Sequence, residues 1–167
     1  MKGLDESNNL ILYVISNVIA LFVLLAALKQ IRFARLLFLL VFTWASWTNW
    51  RTAVGNPGTY LGEADLTFLP FYKQFILGWF SRHITLAVGF IATCQGLIAV
   101  SMLLRGWVFK LGGIGAIVFL LAIAPFGVGA AFPCTVILAV AMYLVLRSPH
   151  QNYLWIPNPL QYLSLAD

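Results

Sequence analysis

The sequence predicts an all-α fold: an integral membrane helix bundle of five transmembrane helices, a four-helix core plus one N-terminal helix, with an amphipathic connection on the outer side. Two observations predict it. Hydrophobic residues make up 62% of the 167-residue chain and charged residues only 9%, and mean hydropathy is +0.92, a balance with too few charges for a soluble domain to cover its apolar surface. Five stretches also approach the roughly 20 apolar residues that cross a bilayer at about 1.5 Å each. The length suits one compact transmembrane domain spanning 1–167.

The first helix is 10–28, LILYVISNVIALFVLLAAL, uncharged and closed by Lys29, Arg32 and Arg35. The residues before it, MKGLDESNN, carry two acids against one lysine, and no small-x-small site precedes Lys29. The segment therefore reads as a permanent helix and not as a removed signal. The second helix, 33–50, ends in the run WASWTNWR.

The connection 52–83 opens on the turn TAVGNPG and then mixes aromatic residues with a few charges, as a segment lying in the membrane interface does. Pro70 divides it, which predicts two short amphipathic pieces folded against the outer face. The third helix, 84–104, is ITLAVGFIATCQGLIAVSMLL and ends at Arg105. The uncharged run 111–146 is about twice one span; APFGVGAAFP at 124–133 supplies the prolines and glycines of a turn, which gives helices at 107–124 and 126–146. In the tail 147–167, Pro149, Pro157 and Pro159 exclude a continuing helix, so the tail is expected along the cytoplasmic surface or against a partner.

Every loop is short, so the bias of basic residues orients the bundle. With the N-terminus outside, Lys29, Arg32, Arg35, Arg105, Lys110 and Arg147 are cytoplasmic, and Lys2, Arg51, Lys73 and Arg82 are outside. This predicts a protein of the plasma (inner) membrane with a cytoplasmic C-terminus. The net charge of +5 does not indicate nucleic acid, because the cations are scattered at segment ends and never form a run. The expected partners are the lipid bilayer and other membrane subunits. Gly89, Thr93, Gly96, Gly112 and Ala116 mark close helix contacts. Cys94 and Cys134, without CxxC spacing, read as small buried hydrophobes.

Candidate site residues cluster around WASWTNWR. On a helix, Thr48 and Arg51 share a face with Trp44, and Trp47 lies beside Trp50 and Arg51. Two readings follow: an interfacial belt with a snorkelling arginine, or a pocket for a polar or aromatic ligand lined by Trp44, Trp47, Thr48 and Arg51. Arg51 is expected at a helix C-terminus, where the dipole favours a cation. The chain returning after NPG brings Glu63 and Asp65 within its reach, under a cover of aromatic residues.

An imidazole is the usual acid–base group near neutral pH, so His83, with Glu63, is the candidate for acid–base chemistry, with structural hydrogen bonding as the alternative role for the histidine. Gln95 is the strongly polar residue in the middle of the third helix. Its amide must bond to another helix or to a ligand. There is no phosphate loop, HExxH, CxxCH or nucleophile elbow; no metal site and no autonomous redox centre is expected.

From 34 to 146 the features run in a familiar order: ARLLFLLVFTW opening a helix, a long amphipathic connection, GFIATCQGLIAVSMLLRGWVFKLGGIGAIVFLL through a tight basic turn, and a final helix. This resembles the DoxX-like group of small four-helix membrane proteins, with one helix added in front. Some members of that group are similar to the small membrane subunit of thiosulfate:quinone oxidoreductase, and others are linked to membrane redox or sulfur-stress complexes. No cofactor is evident in the residues themselves; the resemblance implies an accessory or quinone-side role, which makes a quinone the candidate cofactor, and assigns no catalytic residue.

Three functions are therefore expected, in this order. The first is an accessory or structural subunit of a larger respiratory or electron-transfer complex. Next is a DoxX-like quinone- or sulfur-linked oxidoreductase component with an outer-face site. A small-molecule transporter comes last, since paired intramembrane charges and matching broken helices are missing from the sequence.

Overall fold

A computed structural model describes residues 7–67, 69–148 and 152–155, and within them the chain is all-helical, with no strand. Helix α1 (Ser7–Lys29) is joined to α2 (Ile31–Gly55) by Gln30 alone, whose extended backbone (φ −145°) breaks the helix. A 3₁₀ turn (Pro57–Gly62) leads to α3 (Glu63–Leu66) and α4 (Pro70–Phe75), which starts on the proline as first-turn geometry favours. A wide turn at Ile76–Phe80, kinked at Gly78, precedes α5 (Ile84–Ser101) and α6 (Gly106–Ile123). After a 3₁₀ segment (Ala124–Ala130) bent at Gly127 (φ 64°), α7 (Cys134–Arg147) ends the bundle.

Among the described residues four helices are long and apolar enough to cross a membrane: α1, α2, α5 and α6. The expected fifth span, 126–146, is helical only from Cys134 and has 14 residues. Gly127, Gly129 and Pro133 hold the preceding residues in a turn, so the two final helices are separated by a longer reversal than the sequence reading allowed. The second helix departs the other way. It continues to Gly55, because Ala53 is buried against Ile84 and Val88 and its carbonyl accepts the Thr85 hydroxyl at 3.0 Å; it stops at Asn56, which the following proline holds out of helical geometry.

The five long helices close into a ring in which the neighbours are α1 and α2, α2 and α5, α5 and α6, α6 and α7, and α7 with α1. Ala20, Val23, Phe38, Phe42, Met102 and Met142 are among the side chains that fill it. The inward face of α2 is a helical series, Arg35, Phe38, Phe42, Ser46, Asn49 and Ala53, at spacings of three or four. Small residues let the helices meet. The Trp50 ring lies across Gly89, Ser46 Oγ lies over Gly96, and Gly112 abuts Ser101 so closely that a Cβ built there falls 2.4 Å from the serine Cβ.

The ring has two unlike ends. One gathers Lys29, Arg32, Arg35, Arg105, Lys110 and Arg147, with no acidic residue among the described ones. At the other, the 56–83 connection folds onto the 124–130 segment: Thr67 Oγ1 donates to the Pro125 carbonyl at 2.8 Å, Tyr72 Oη donates to the Ala122 carbonyl at 2.8 Å, and the Tyr72 and Phe126 rings meet edge to face. The first is the basic end, the second the aromatic end.

Candidate functional site

Two polar clusters lie on the inward face of α2. The first is Arg35, a charged side chain buried to 1% exposure at the basic end. Helix α5 finishes at Ser101; the N–H groups of Met102, Leu103 and Leu104 close its last turn, and the Met102 and Leu104 carbonyls stand beyond it, where the helix no longer continues to supply donors. The Arg35 guanidinium supplies the missing donors. Nε and Nη2 donate to the Met102 carbonyl at 3.1 and 2.6 Å, Nη2 also donates to the Leu104 carbonyl, and Nη1 donates to the Asn152 carbonyl at 2.6 Å.

The guanidinium lies 4.2 Å from the centre of the Phe109 ring, a cation–π contact that α6 contributes. One side chain thus ties α2, the α5–α6 turn, α6 and the tail. No acid is needed, since a helix C-terminus carries a partial negative charge. Beside it Arg32 Nη2 donates to the Leu154 carbonyl at 3.1 Å, Leu154 N–H donates to the Leu103 carbonyl at 3.2 Å, and the Arg105 guanidinium stacks on Tyr153.

The second cluster is nearer the aromatic end. Asn49 Nδ2 donates to Gln95 Oε1 at 2.8 Å, and Tyr60 Oη donates to Asn49 Oδ1 at 2.9 Å. Ser46 Oγ donates to the Ala92 carbonyl at 2.7 Å one turn away. Gln95, 2% exposed, is therefore engaged by another helix. Gln95→Leu is expected to destabilise the protein by about 0.6–2 kcal/mol, the range of hydrogen bonds between helices in a membrane. A thermal-unfolding cycle with Asn49→Leu checks it. The two losses should fall well short of additive, and additive losses would show that the amides do not interact.

The residues singled out in the sequence fall largely outside these clusters. Trp44 and Trp47 are 69% and 68% exposed and Arg51 is exposed, so the face they share with Thr48 points away from the bundle interior. Arg51 sits in the body of α2, one turn before its end, and does not cap it. Asp65 bonds Lys73 Nζ at 2.9 Å in a pair that is exposed on both sides; the side chain of Glu63 lies outside the described residues. The structure therefore does not bring Arg51, Asp65 and the two outer tryptophans into one pocket.

His83 is exposed and stacks on Trp79 with ring centres 4.7 Å apart; its Nδ1 is 3.0 Å from the Trp79 carbonyl and donates to it, since a carbonyl only accepts. Pro57, Ser81, Arg82, His83 and Thr85 line a shallow cleft of about 370 Å³. That cleft can hold a small polar or anionic group against Arg82. Among the described residues no group of three or more His, Cys, Asp or Glu side chains is placed to hold a metal ion. Both cysteines are free, with Cys134 buried and Cys94 partly so.

Sequence reasoning treated Arg35 as one topology signal among several, and Asn49 only as part of a mixed run. Both stand in register with Phe38 and Phe42, and that spacing is the signal that marks them as inward. No family model, curated protein or solved structure matches the chain.

Proposed function

We propose that the protein is a non-catalytic integral membrane subunit that holds its place in a larger membrane complex, of the respiratory or electron-transferring kind. In this reading all five long helices cross the inner membrane, α7 with the help of the turn before it. The N-terminus is outside and the basic end is cytoplasmic, as the bias of cations favours.

One observation carries the proposal: the two polar clusters on the inward face of α2 serve helix-to-helix and helix-to-tail bonds. Arg35, Asn49 and Gln95, the polar side chains best placed to bind something inside the bundle, bind the protein's own backbone and each other. The exposed aromatic residues of the surface are available to partners. Trp107 and Trp155, 78% and 61% exposed, stand on the cytoplasmic face with Arg105 and Lys110.

Solubilising host membranes in a mild detergent and identifying co-purifying subunits tests this reading. A stable assembly is expected, and its dissociation by Trp155→Ala would locate the contact. Recovery of the chain alone from every mild detergent would overturn it. Orientation is checked by an impermeant thiol reagent on intact cells. Gly58→Cys, in open space at the aromatic end, should label, and Gln30→Cys at the basic end should not; the reverse pattern would invert the topology.

A second reading rests on the Arg82–His83 cleft. There a DoxX-like quinone- or sulfur-linked component would hold an anionic substrate or a quinone carbonyl against Arg82, with His83 exchanging protons. Purified protein that carries no extractable quinone and supports no thiosulfate-dependent quinone reduction would remove it.

A further inference from the structure

The seam where α7 closes onto α1 carries polar atoms that neither cluster on α2 uses. Thr135 Oγ1 and Asn17 Oδ1 are the buried side-chain polar atoms that have no hydrogen-bond partner among the described residues. Thr135, 4% exposed, stands in the first turn of α7. Of the N–H groups that open this helix, that of Cys134 donates to the Ala131 carbonyl at 2.9 Å, and Pro133 has none. Those of Thr135 and Val136 have no acceptor within the helix, and no side chain caps it.

Asn17 reaches that turn from α1. Its Nδ2 donates to the Tyr13 carbonyl one turn back at 2.9 Å and, across the seam, to the Ala131 carbonyl at 3.2 Å, the same oxygen that accepts the Cys134 N–H. These bonds fix the orientation of the amide, since turning it over would set Oδ1 against two carbonyl oxygens that cannot donate. Asn17 Oδ1 is thus an acceptor left open beside the start of α7.

Two helices place the pair at one depth. Asn17 lies about 18 Å along α1 from Lys29, and Thr135 lies about 18 Å along α7 from Arg147, both measured from the basic end at the helical rise. A bilayer's hydrocarbon is about 30 Å thick. In the membrane reading both oxygens therefore lie within it, where an unmade hydrogen bond is costly and bulk water does not supply the partner.

The chemistry of the groups selects a ligand. An anion would suit the helix N–H groups and the hydroxyl and be repelled by Asn17 Oδ1. A cation would suit Oδ1 and be repelled by the positive end of the helix dipole. What satisfies both sides is a group that donates to Oδ1 and accepts from the helix, and the burial of both oxygens keeps it small. We infer that the first turn of α7 binds one water molecule, which donates to Asn17 Oδ1, accepts from the Thr135 hydroxyl and bridges the two helices that close the ring.

The test uses the full chain purified in mild detergent. Thr135→Val keeps the shape of the side chain and removes the hydroxyl. A dry, unpartnered hydroxyl would make this change neutral or raise Tm. With the bridge in place Tm should instead fall by about 2–4 °C, the shift that one lost hydrogen bond produces in a chain of this size. In an Asn17→Leu background the same substitution should shift Tm by less than half as much, because the water has already lost its acceptor. A raised Tm in Thr135→Val, or an equal fall in both backgrounds, would overturn the bridge.

Crystals of the unaltered chain grown from a lipid mesophase show the occupant directly. Density for one water within hydrogen-bonding distance of both oxygens is expected; a direct Thr135–Asn17 hydrogen bond, or a dry seam, would overturn the inference. The depth alone rests on the membrane reading: a chain that carbonate washes from host membranes refutes that reading, and a dry seam refutes the water site.

Discussion

Replacing Arg35 with alanine is expected to cost about 3–5 kcal/mol, more than any other single truncation in the bundle. The guanidinium satisfies the carbonyls of Met102, Leu104 and Asn152, and each buried acceptor left without a donor costs about 1–3 kcal/mol. Some of that loss is recovered as water enters at this end of the bundle. Arg35→Lys should recover less than half of the stability, because an ammonium has no planar fork to reach carbonyls on separate segments.

Denaturant unfolding in one detergent measures the loss. Limited proteolysis reads the mechanism: the chain at 152–155 should be cut readily in both variants and slowly in the wild type. Loss below about 1 kcal/mol with a protected tail would show that the clamp is incidental.

Gly112→Ala should cost about 1–3 kcal/mol, the range for overpacking a tight contact. The added Cβ falls 2.4 Å from Ser101 Cβ, and no rotamer of the serine moves that atom away. Helices α5 and α6 would have to separate at the point where they meet. Ser101→Gly removes the clashing atom at the cost of a bond from Ser101 Oγ to the Ile98 carbonyl and of a more flexible helix end. In the double variant the destabilisation should fall at least about 1 kcal/mol below the sum of the singles. Additive losses in thermal unfolding would place this helix contact elsewhere.

These expectations depend on features of unequal visibility in the sequence. The apolar lengths of α1, α2, α5 and α6 are local properties, and those helices lie close to the expected ranges. The end of α2 was misplaced because what extends it is not local: Ala53 is held by Ile84, Val88 and the Thr85 hydroxyl across the ring. The α7 boundary moved because glycine and proline signal a turn without fixing its length.

The site divides in the same way. Reading WASWTNWR by chemical weight drew attention to its tryptophans and arginine, but the helical register turns Trp44, Trp47 and Arg51 outward and brings Ser46 and Asn49 in. Gln95 was legible because one amide in an apolar helix must find a partner. Asn49 was hidden only by its louder neighbours. Arg35 could not be distinguished from Arg32 by type or neighbourhood, since the carbonyls that bury it belong to residues far along the chain.

The ring of helices is closed between α1 and α7, the first and last helices among the described residues. A ribosome adds about 5–20 residues per second, so on the order of 5–20 s separates the emergence of Lys29 from that of Cys134. Through that interval Ala20, Val23 and Ala27 have no finished surface to pack against, and the nascent chain is an open crescent. Assembly of this protein is therefore a matter of timing as well as of affinity: the newborn α1 must be sheltered until α7 has followed it, and any stall before α7 leaves an exposed seam for quality-control machinery to find.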